Sequence, residues 1–292
     1  MPRWLFYAIL TVLFWGVWGF LPRKLASISA EQSQVISTLG LLPIMLLLGL
    51  RTKIMTGARI KRGCVLAFTA GLIGSVGNVA FYRLMNAGQS AATVVPLTSL
   101  YPLVTVALAV VLLKERLNAV QVGGITLALI SIYFFNVGRE ERFSLAWLAF
   151  ALLPVLLWGV AGLLQKLCTN DISAELSTLC FLGALIPISV LLLAVKPMNW
   201  ELTPADWIWA IALGVFLGLG NLTLLAAFAA GGKAAIVSPM AGLYSIVTVP
   251  LAVGVLGERV RAREWLAIVL ALLAVVALAY ETRRTVDDAS MI

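Results

Sequence analysis

The chain has 292 residues, of which 62% are hydrophobic and only 12% are charged, and its mean hydropathy is +1.03. A soluble domain has about 45–50% apolar and about 25% charged residues, so this composition excludes a water-soluble globular protein. The net charge of +8 fits Lys and Arg in the cytoplasmic loops of a membrane protein, and no basic-aromatic motif indicates nucleic-acid binding.

Apolar stretches follow one another along the whole chain, each close to the about 20 residues that a helix needs to cross a bilayer. Backbone polar groups must pair within a segment in lipid, so helices rather than strands are predicted. The sequence therefore predicts an all-α polytopic membrane protein with ten transmembrane helices. The predicted spans cover residues 4–22, 33–50, 63–86, 91–113, 119–137, 145–165, 176–195, 206–229, 235–256 and 265–281.

One stretch occurs twice. Residues 77–116 read GNVAFYRLMNAGQSAATVVPLTSLYPLVTVALAVVLLKER, and residues 220–259 read GNLTLLAAFAAGGKAAIVSPMAGLYSIVTVPLAVGVLGER. They align without a gap at an offset of 143 residues, which also carries Trp15-Gly16-Val17 onto Trp158-Gly159-Val160. Internal repeats are characteristic of transporters and of other duplicated folds. We therefore predict a first five-helix repeat (1–138), a second five-helix repeat (144–281) and a cytoplasmic tail (282–292).

The loop charges predict the orientation of these helices. With ten spans, twelve Lys and Arg residues lie on the side of the N-terminus and eight on the other side. Cytoplasmic loops carry the excess of Lys and Arg, so we expect both termini in the cytoplasm, with the chain in the cytoplasmic (inner) membrane of a bacterium.

The repeat also has a geometric consequence. Each repeat crosses the membrane five times, an odd number, so the second repeat lies upside down relative to the first. Inverted repeats are typical of secondary transporters, which bind their substrate near the midplane between the two halves. Two similar halves in opposite orientation permit two similar conformations, one open to each side of the membrane. The sequence therefore predicts alternating access.

These features together resemble the EamA-type branch of the drug/metabolite transporter superfamily. They are the Trp-Gly near the start of each half, the Gly-Asn of spans three and eight, the Pro and Tyr of spans four and nine, and the Glu-Arg that closes these two spans. The resemblance covers nearly the whole chain and implies a central cavity lined by spans one, three, four, six, eight and nine. Members export amino acids, other metabolites or toxic compounds, and relatives carry sugars or nucleotide-sugars, so the resemblance leaves the substrate open.

Polar side chains inside the membrane are candidate functional groups, because burying them in lipid is unfavourable. Asn78 and Asn221 occupy equivalent positions, and they either face a shared cavity or join neighbouring helices by hydrogen bonds. Arg83 breaks the repeat, since its equivalent is Ala226. Its guanidinium either pairs with an anionic group of the substrate or reaches the membrane interface.

Aromatic residues and prolines of the repeat are further candidates. Tryptophans either line a cavity for apolar solutes or pack within the bundle, and tyrosines either bind a ligand or bond within the bundle. The full set of cavity candidates is Trp15, Asn78, Tyr82, Arg83, Ser99, Tyr101, Trp158, Asn221 and Tyr244. Prolines remove a backbone donor and kink helices. The predicted kinks are at Pro96, Pro102, Pro239 and Pro250.

Charged residues lie at the ends of the predicted spans. Glu115-Arg116 and Glu258-Arg259 either fix loops or form a gate whose ion pairs exchange between states. Every Asp and Glu lies at the end of a predicted span or in a loop, whereas proton-driven carriers hold a titratable residue in the interior of a span. We therefore expect a facilitator or an exchanger, or coupling through an acid at a span end such as Glu31 or Glu175.

Rival functions follow from the same residues. A lipid-linked substrate flippase or a sugar or nucleotide-sugar carrier would keep this fold, and a non-transporting assembly subunit would lack the cavity. A membrane enzyme needs a polar catalytic cluster, and the chain has no histidine, the most common general base and a frequent metal ligand. We therefore expect a transporter of a small organic solute rather than an enzyme, with no metal or other cofactor. The sequence does not indicate an oligomeric state.

Overall fold

The computed structural model describes residues 1–50, 55–88, 90–113, 118–137 and 145–280, and these residues form α-helices. The first half contains α1 (Arg3–Phe20), a 3-10 helix (Leu21–Leu25), α2 (Ala30–Gly49), α3 (Ile60–Asn86), α4 (Ala91–Thr98), α5 (Pro102–Leu113) and α6 (Ala119–Val137). The second half contains α7 (Leu145–Thr169), α8 (Ala174–Gly183), α9 (Leu185–Val195), α10 (Pro204–Ala229), α11 (Ala234–Gly242), α12 (Ser245–Leu256) and α13 (Ala262–Ala279). Within the described ranges, the β-structure is limited to one isolated bridge between Gly57 and Ile172.

Among the described residues, eight stretches are long and apolar enough to cross a membrane. They are Arg3–Leu25, Ala30–Gly49, Ile60–Asn86, Ala91–Leu112, Leu148–Thr169, Ala174–Val195, Pro204–Ala229 and Ala234–Leu256. Two further helices are also apolar: a shorter stretch at Ala119–Phe134, and α13, which has 18 residues and Glu264 in its first turn. The chain is thus a polytopic helical membrane protein.

The burial of side chains is that of a protein surrounded by lipid. Large apolar side chains face outward, and Leu47 is 68% and Val111 72% exposed. Polar side chains lie inside instead, and Thr38 of α2 shares a 2.8 Å hydrogen bond with Ser189 of α9. Such interhelical hydrogen bonds are common between membrane helices, because lipid offers polar groups no alternative partner.

Three predicted spans are interrupted rather than continuous. Span four divides into α4 and α5, because Pro102 has no N–H for the carbonyl of Thr98, and Tyr101 N bonds that carbonyl instead at 3.1 Å. Span seven divides into α8 and α9 at Ala184, three residues before Pro187. Span nine divides into α11 and α12 in the same way. Tyr244 N bonds the carbonyl three residues before it, as Tyr101 N does in span four, although Ser245 takes the position of Pro102.

The other predicted kinks lie inside helices. Pro96 is within α4, Pro239 is within α11 and Pro250 is within α12. The breaks in spans four and nine follow Pro96 and Pro239 by a few residues and bring Tyr101 and Tyr244 to the interior.

The first helix of each half packs against the later helices of the other half. A Cβ atom at Gly16 would lie 2.3 Å from Cβ of Val247, and one at Gly159 would lie 2.4 Å from Cβ of Val104. No larger residue fits either position, which explains the glycine of the repeated Trp-Gly-Val. These contacts join the two halves around a common interior.

Candidate functional site

A cavity lies in the middle of the helical bundle. It encloses about 470 Å³ of space between atoms, including the part open to the outside. Its walls are aromatic rings, three amide side chains and a few small or aliphatic residues. The lining residues are Trp15, Trp18, Gly74, Asn78, Tyr101, Trp158, Ala161, Gln165, Phe181, Leu217, Asn221 and Tyr244.

Two of the three tryptophans that line the cavity, Trp15 and Trp158, each lie on a glycine of the opposite half. A Cβ atom at Gly220 of α10 would lie 2.2 Å from Cδ1 of Trp15 in α1. A Cβ atom at Gly77 of α3 would lie 2.6 Å from Nε1 of Trp158 in α7. The glycine of each Gly-Asn pair therefore lets an indole lie directly on the helix backbone, next to the asparagine that follows.

The first of these asparagines is bonded to its tryptophan. Trp158 Nε1 donates to Asn78 Oδ1 at 3.1 Å and to the carbonyl of Gly74 at 3.3 Å. Asn78 is 5% exposed and belongs to α3, whereas Trp158 belongs to α7. This hydrogen bond therefore links the two halves at the wall of the cavity.

The second asparagine is bonded differently. Asn221 Oδ1 accepts a 3.0 Å hydrogen bond from Gln165 Nε2, and Asn221 Nδ2 donates to the carbonyl of Leu217 at 2.9 Å. Trp15 Nε1 is buried and has no hydrogen-bond partner among the residues that the structure describes. The two equivalent Trp-Asn positions thus have different hydrogen bonds.

The two tyrosine hydroxyls donate across the interface between the halves. Tyr101 donates to the carbonyl of Ser238 at 3.2 Å. The hydroxyl of Tyr244 lies 3.2 Å from Oγ1 of Thr98. Thr98 donates its own hydroxyl proton to the carbonyl of Val94 at 3.0 Å, so the Tyr244 hydroxyl is the donor between these two residues. Both rings line the cavity, while both hydroxyl protons are used within the bundle.

Two predicted cavity residues lie behind the wall. Tyr82 is fully buried, and its hydroxyl accepts a 3.2 Å hydrogen bond from Nε1 of Trp18. Ser99 is also buried, and its hydroxyl donates to the carbonyl of Pro96 at 2.7 Å. Neither residue belongs to the cavity lining, and the polar group of each is bonded inside the bundle. Trp18, one turn after Trp15, lines the cavity instead.

Arg83 does not line the cavity either. It belongs to the last turn of α3, its side chain is 47% exposed, and it pairs with Glu31 at the start of α2, with 2.9 Å between Arg83 Nε and Glu31 Oε1. The long side chain reaches the surface and finds a carboxylate there. Of the two interpretations of Arg83, the structure places it at the surface end of the helix.

A carboxylate closes one end of the bundle. Glu258 follows Gly257, whose φ of 65° ends α12 in the left-handed conformation. Its oxygens accept from the free backbone N–H groups of Ala91 at 3.0 Å and Ala92 at 2.9 Å, at the start of α4, and from the hydroxyl of Ser90 at 2.8 Å. An anion at a helix N-terminus is stabilised by the unpaired N–H groups and by the helix dipole.

Arg23 completes this arrangement. Its Nε lies 3.3 Å from Glu258 Oε1, and its Nη1 donates to the carbonyl of Met85 at 3.2 Å. We refer to Arg23, Ser90, Ala91, Ala92 and Glu258 as the Glu258 latch. Arg259 is exposed beside it, and the predicted gate residues Glu115 and Arg116 lie outside the described residues.

The other half has a counterpart of one part of this latch. Lys166 takes the position of Arg23, and its Nζ lies 3.5 Å from the carbonyl of Phe228, the residue equivalent to Met85. A basic side chain therefore reaches the end of the long helix in both halves. Glu115 is the residue equivalent to Glu258.

Gln165 is the one polar residue of the described cavity lining that is not among the predicted cavity candidates. It lies at the end of predicted span six, and its equivalent in the first half is Pro22, so the repeat does not mark it. A polar side chain inside a membrane span is nevertheless a candidate by default. Phe181 of α8 is likewise absent from the implied cavity spans, because the break in span seven is not visible in the sequence pattern.

These features define a helical membrane protein with a cavity enclosed between two related halves. The model of the EamA-like transporter family matches residues 2–137 and 145–280, so the chain belongs to that family. An uncharacterized protein of Methanocaldococcus jannaschii is 31% identical over 137 residues, which are 45% of this chain and 94% of that relative. The relative is therefore about as long as one half of this chain.

A solved structure has the same fold. It is described only as the crystal structure of a protein, and it matches with a TM-score of 0.65 at 16% identity, covering 96% of this chain and 98% of the other. At this identity the likeness concerns the fold alone.

Proposed function

We propose that the protein is a secondary transporter that exports or exchanges a small organic solute, such as an amino acid or another metabolite, by alternating access between two inverted five-helix repeats. The observation that carries this proposal is the composition of the cavity wall. Trp15 and Trp158 are equivalent residues of the two halves, as are Asn78 and Asn221. A site built in this way from both halves changes its opening when one half tilts relative to the other.

The proposal includes ten membrane spans, five in each half. The eight long apolar stretches, together with α6 and α13, divide into five spans for each half. With an odd number in each half, the second is inverted, and the two ends of the cavity become equivalent. The half-length relative in Methanocaldococcus jannaschii supports the half as the duplicated unit.

The lining residues favour a solute without net charge. Among the described residues that line the cavity, none is Lys, Arg, Asp or Glu. An isolated charge in such a site would lose its hydration without gaining a counter-ion. Aromatic rings and amides suit a solute that combines an apolar part with hydrogen-bonding groups.

The Glu258 latch is the proposed gate at one end. Its carboxylate joins the second half to the start of α4 and to Arg23 in the first half. Opening this end requires these charge-assisted hydrogen bonds to separate. By the equivalence of the halves, Lys166, which takes the position of Arg23, would belong to the corresponding gate at the opposite end.

The inversion is tested with two single cysteines at equivalent positions. Ala119 and Ala262 are both exposed, at the starts of α6 and α13. In a variant without Cys64, Cys168 and Cys180, Ala119→Cys and Ala262→Cys should react with a membrane-impermeant maleimide from opposite faces of the membrane. Reaction from the same face would contradict inverted repeats.

Alternating access is tested with a cysteine inside the cavity. Ala161 lines the cavity, whereas Ala70 is buried elsewhere in the bundle and serves as the matched control. We expect Ala161→Cys to react slowly from both faces in right-side-out and inverted vesicles, and Ala70→Cys from neither. Reaction of Ala161→Cys from one face only would indicate a pocket and not a transport pathway.

A thermal-shift screen of the purified protein with amino acids, sugars, nucleotides and cationic drugs then identifies solutes that bind, because a bound solute raises the stability of the folded protein. These solutes are the ones to test for transport in liposomes.

A further inference from the structure

The orientation of the cavity amides follows from their partners. An indole N–H only donates, so the atom of Asn78 that faces Trp158 is its oxygen, and Nδ2 is the remaining group. A backbone carbonyl only accepts, so Asn221 turns Nδ2 towards Leu217 and its oxygen towards Gln165. Gln165 must then donate through Nε2, and its Oε1 is the remaining group.

These remaining groups are open to the cavity. Neither Asn78 Nδ2 nor Gln165 Oε1 is hydrogen-bonded within the described ranges, and neither is among the fully buried polar atoms without a partner there. Both residues line the cavity. The wall thus presents the amide N–H groups of Asn78 and the amide oxygen of Gln165, whose Nε2 also keeps the N–H that Asn221 does not use.

The bonding of Asn221 leaves one donor unsatisfied. Trp15 lies on Gly220 as Trp158 lies on Gly77, and Asn221 follows Gly220 as Asn78 follows Gly77. Asn221 Oδ1 is therefore placed to accept from Trp15 Nε1, as Asn78 does from Trp158. It accepts from Gln165, and the indole N–H of Trp15 is buried without a partner in the described part of the chain, although an amide oxygen can accept two hydrogen bonds. A buried donor without a partner is unfavourable.

We propose that Gln165 is the specificity-determining residue of the cavity and that it selects neutral solutes with an adjacent hydrogen-bond donor and acceptor, such as a carboxamide or a lactam. This inference rests on the proposed transport function and names its substrate class. On binding, the solute accepts from Gln165 Nε2 and donates to Gln165 Oε1. Asn221 turns to accept from Trp15.

This exchange of partners improves the hydrogen bonding of the site. The single bond between Gln165 and Asn221 is replaced by two bonds between Gln165 and the solute. The bond from Trp15 to Asn221 then satisfies the buried indole. The carbonyl of Leu217, which loses the side-chain donor, lies four residues before Asn221 in the same helix, where backbone N–H groups bond such carbonyls. A carboxylic acid offers only acceptors when ionised, and an ammonium group offers only donors, so neither matches an intact amide.

Four probes that share one ring test the selectivity. Binding of benzamide, N,N-dimethylbenzamide, benzoate and benzylammonium to the purified full-length protein is measured by thermal shift. We expect benzamide to bind at least about tenfold more tightly than the other three, because only it makes both neutral hydrogen bonds. Gln165→Leu should reduce benzamide to the affinity of N,N-dimethylbenzamide. Gln165→Glu, which is nearly isosteric, should reverse the preference in favour of benzylammonium.

The exchange of Asn221 is tested without any ligand. Gln165→Leu should leave the Tm within about 2 °C of the wild type, because Asn221 turns to Trp15, and a small change in free energy shifts Tm by only a few degrees. Adding Trp15→Phe removes that second donor, so the double variant should lose more Tm than the two single variants together. An additive double variant would overturn the exchange.

The outcomes separate this inference from the transport function. Equal shifts with all four probes, or no shift with any, would overturn the specificity assigned to Gln165, as would unchanged benzamide binding in Gln165→Leu. If Ala161→Cys still reacts from both faces of the membrane, the transporter proposal stands without it. If Ala161→Cys reacts from one face only, the transport function itself fails, whatever the probe selectivity.

Discussion

The two walls of the cavity come from equivalent residues but are held by different hydrogen bonds. On one wall, Trp158 donates to Asn78. On the other wall, Gln165 donates to Asn221, and Trp15 has no acceptor among the described residues. The repeat therefore places the same side chains at the same positions in both halves, and one non-repeated residue changes their bonding. Equivalent positions in the two halves therefore do not imply equivalent hydrogen bonds.

Equivalent residues of the two halves also differ in their surroundings where helices cross. Gly40 of α2 and Gly183 of α8 are equivalent, yet a Cβ atom at Gly40 would lie 2.2 Å from the carbonyl oxygen of Ile211, whereas the nearest atom to one at Gly183 is Cε of Met45 at 3.8 Å. The helices approach backbone to backbone in the first case only. Equivalent glycines thus have different steric requirements.

The largest expected effect is at this pair of glycines. Gly40→Ala forces α2 away from α10, and overpacking costs about 1–3 kcal/mol or more, since a backbone carbonyl cannot move aside as a side chain does. Gly183→Ala makes only an ordinary van der Waals contact with Cε of Met45 and gains helix propensity. We expect Gly40→Ala to lower the Tm strongly or to prevent folding, and Gly183→Ala to leave it unchanged or slightly higher. Equal effects would mean that the two crossings are equally close.

The second prediction concerns the Glu258 latch. Glu258→Gln removes the charge that pairs with Arg23 and with the start of α4, and hydrogen bonds to charged groups contribute about 1.5–3 kcal/mol. The closed end should open more often. In Ala161→Cys vesicles, we expect labelling from the Glu258 face to increase about tenfold. Glu201→Gln, an exposed loop acid, is the control and should change nothing; an unchanged rate in Glu258→Gln would remove the latch as a gate.

The third prediction compares the two tryptophans directly. Trp158→Phe removes hydrogen bonds to Asn78 and Gly74, and it leaves Asn78 Oδ1 without a donor. Trp15→Phe removes no hydrogen bond. We expect Trp158→Phe to be less stable than Trp15→Phe by about 1–2 kcal/mol in ligand-free protein, measured by urea or thermal unfolding in micelles. Similar stabilities would show that the two walls are bonded alike.

Much of this architecture follows from the sequence. Hydropathy places the helices, since each long apolar run must cross lipid, and the exact offset between the halves brings Asn78, Asn221 and both repeated tryptophans to one cavity. The breaks at Ala184 and at Leu243 do not follow from the pattern, because apolar runs continue through them. Nor do the partners of Tyr101, because hydrogen bonds between distant helices depend on helix rotation.

Arg83 and Gln165 show where sequence patterns mislead. Both residues break the repeat, and Arg83 is the more conspicuous because it is charged and has Ala226 as its equivalent. Its position near the end of a helix lets its side chain reach Glu31 outside the cavity. Gln165 is uncharged, but its shorter side chain stays inside and changes the wall. The depth of a residue in the bundle, rather than its charge, decides whether a difference between the two halves affects the cavity.

The smallest expected effect therefore belongs to Arg83→Gln. The pair with Glu31 has one partner 47% exposed, and exposed ion pairs contribute about 0.2–1 kcal/mol, which salt reduces further. We expect a Tm within about 2 °C of the wild type, indistinguishable from it in high salt, because so small a change in free energy shifts Tm by a few degrees at most. Solute affinity should be unchanged, in contrast to Gln165→Leu. A tenfold loss of affinity in Arg83→Gln would instead assign Arg83 to the binding site and make its charge, not the amide of Gln165, the asymmetry that the transported solute recognises.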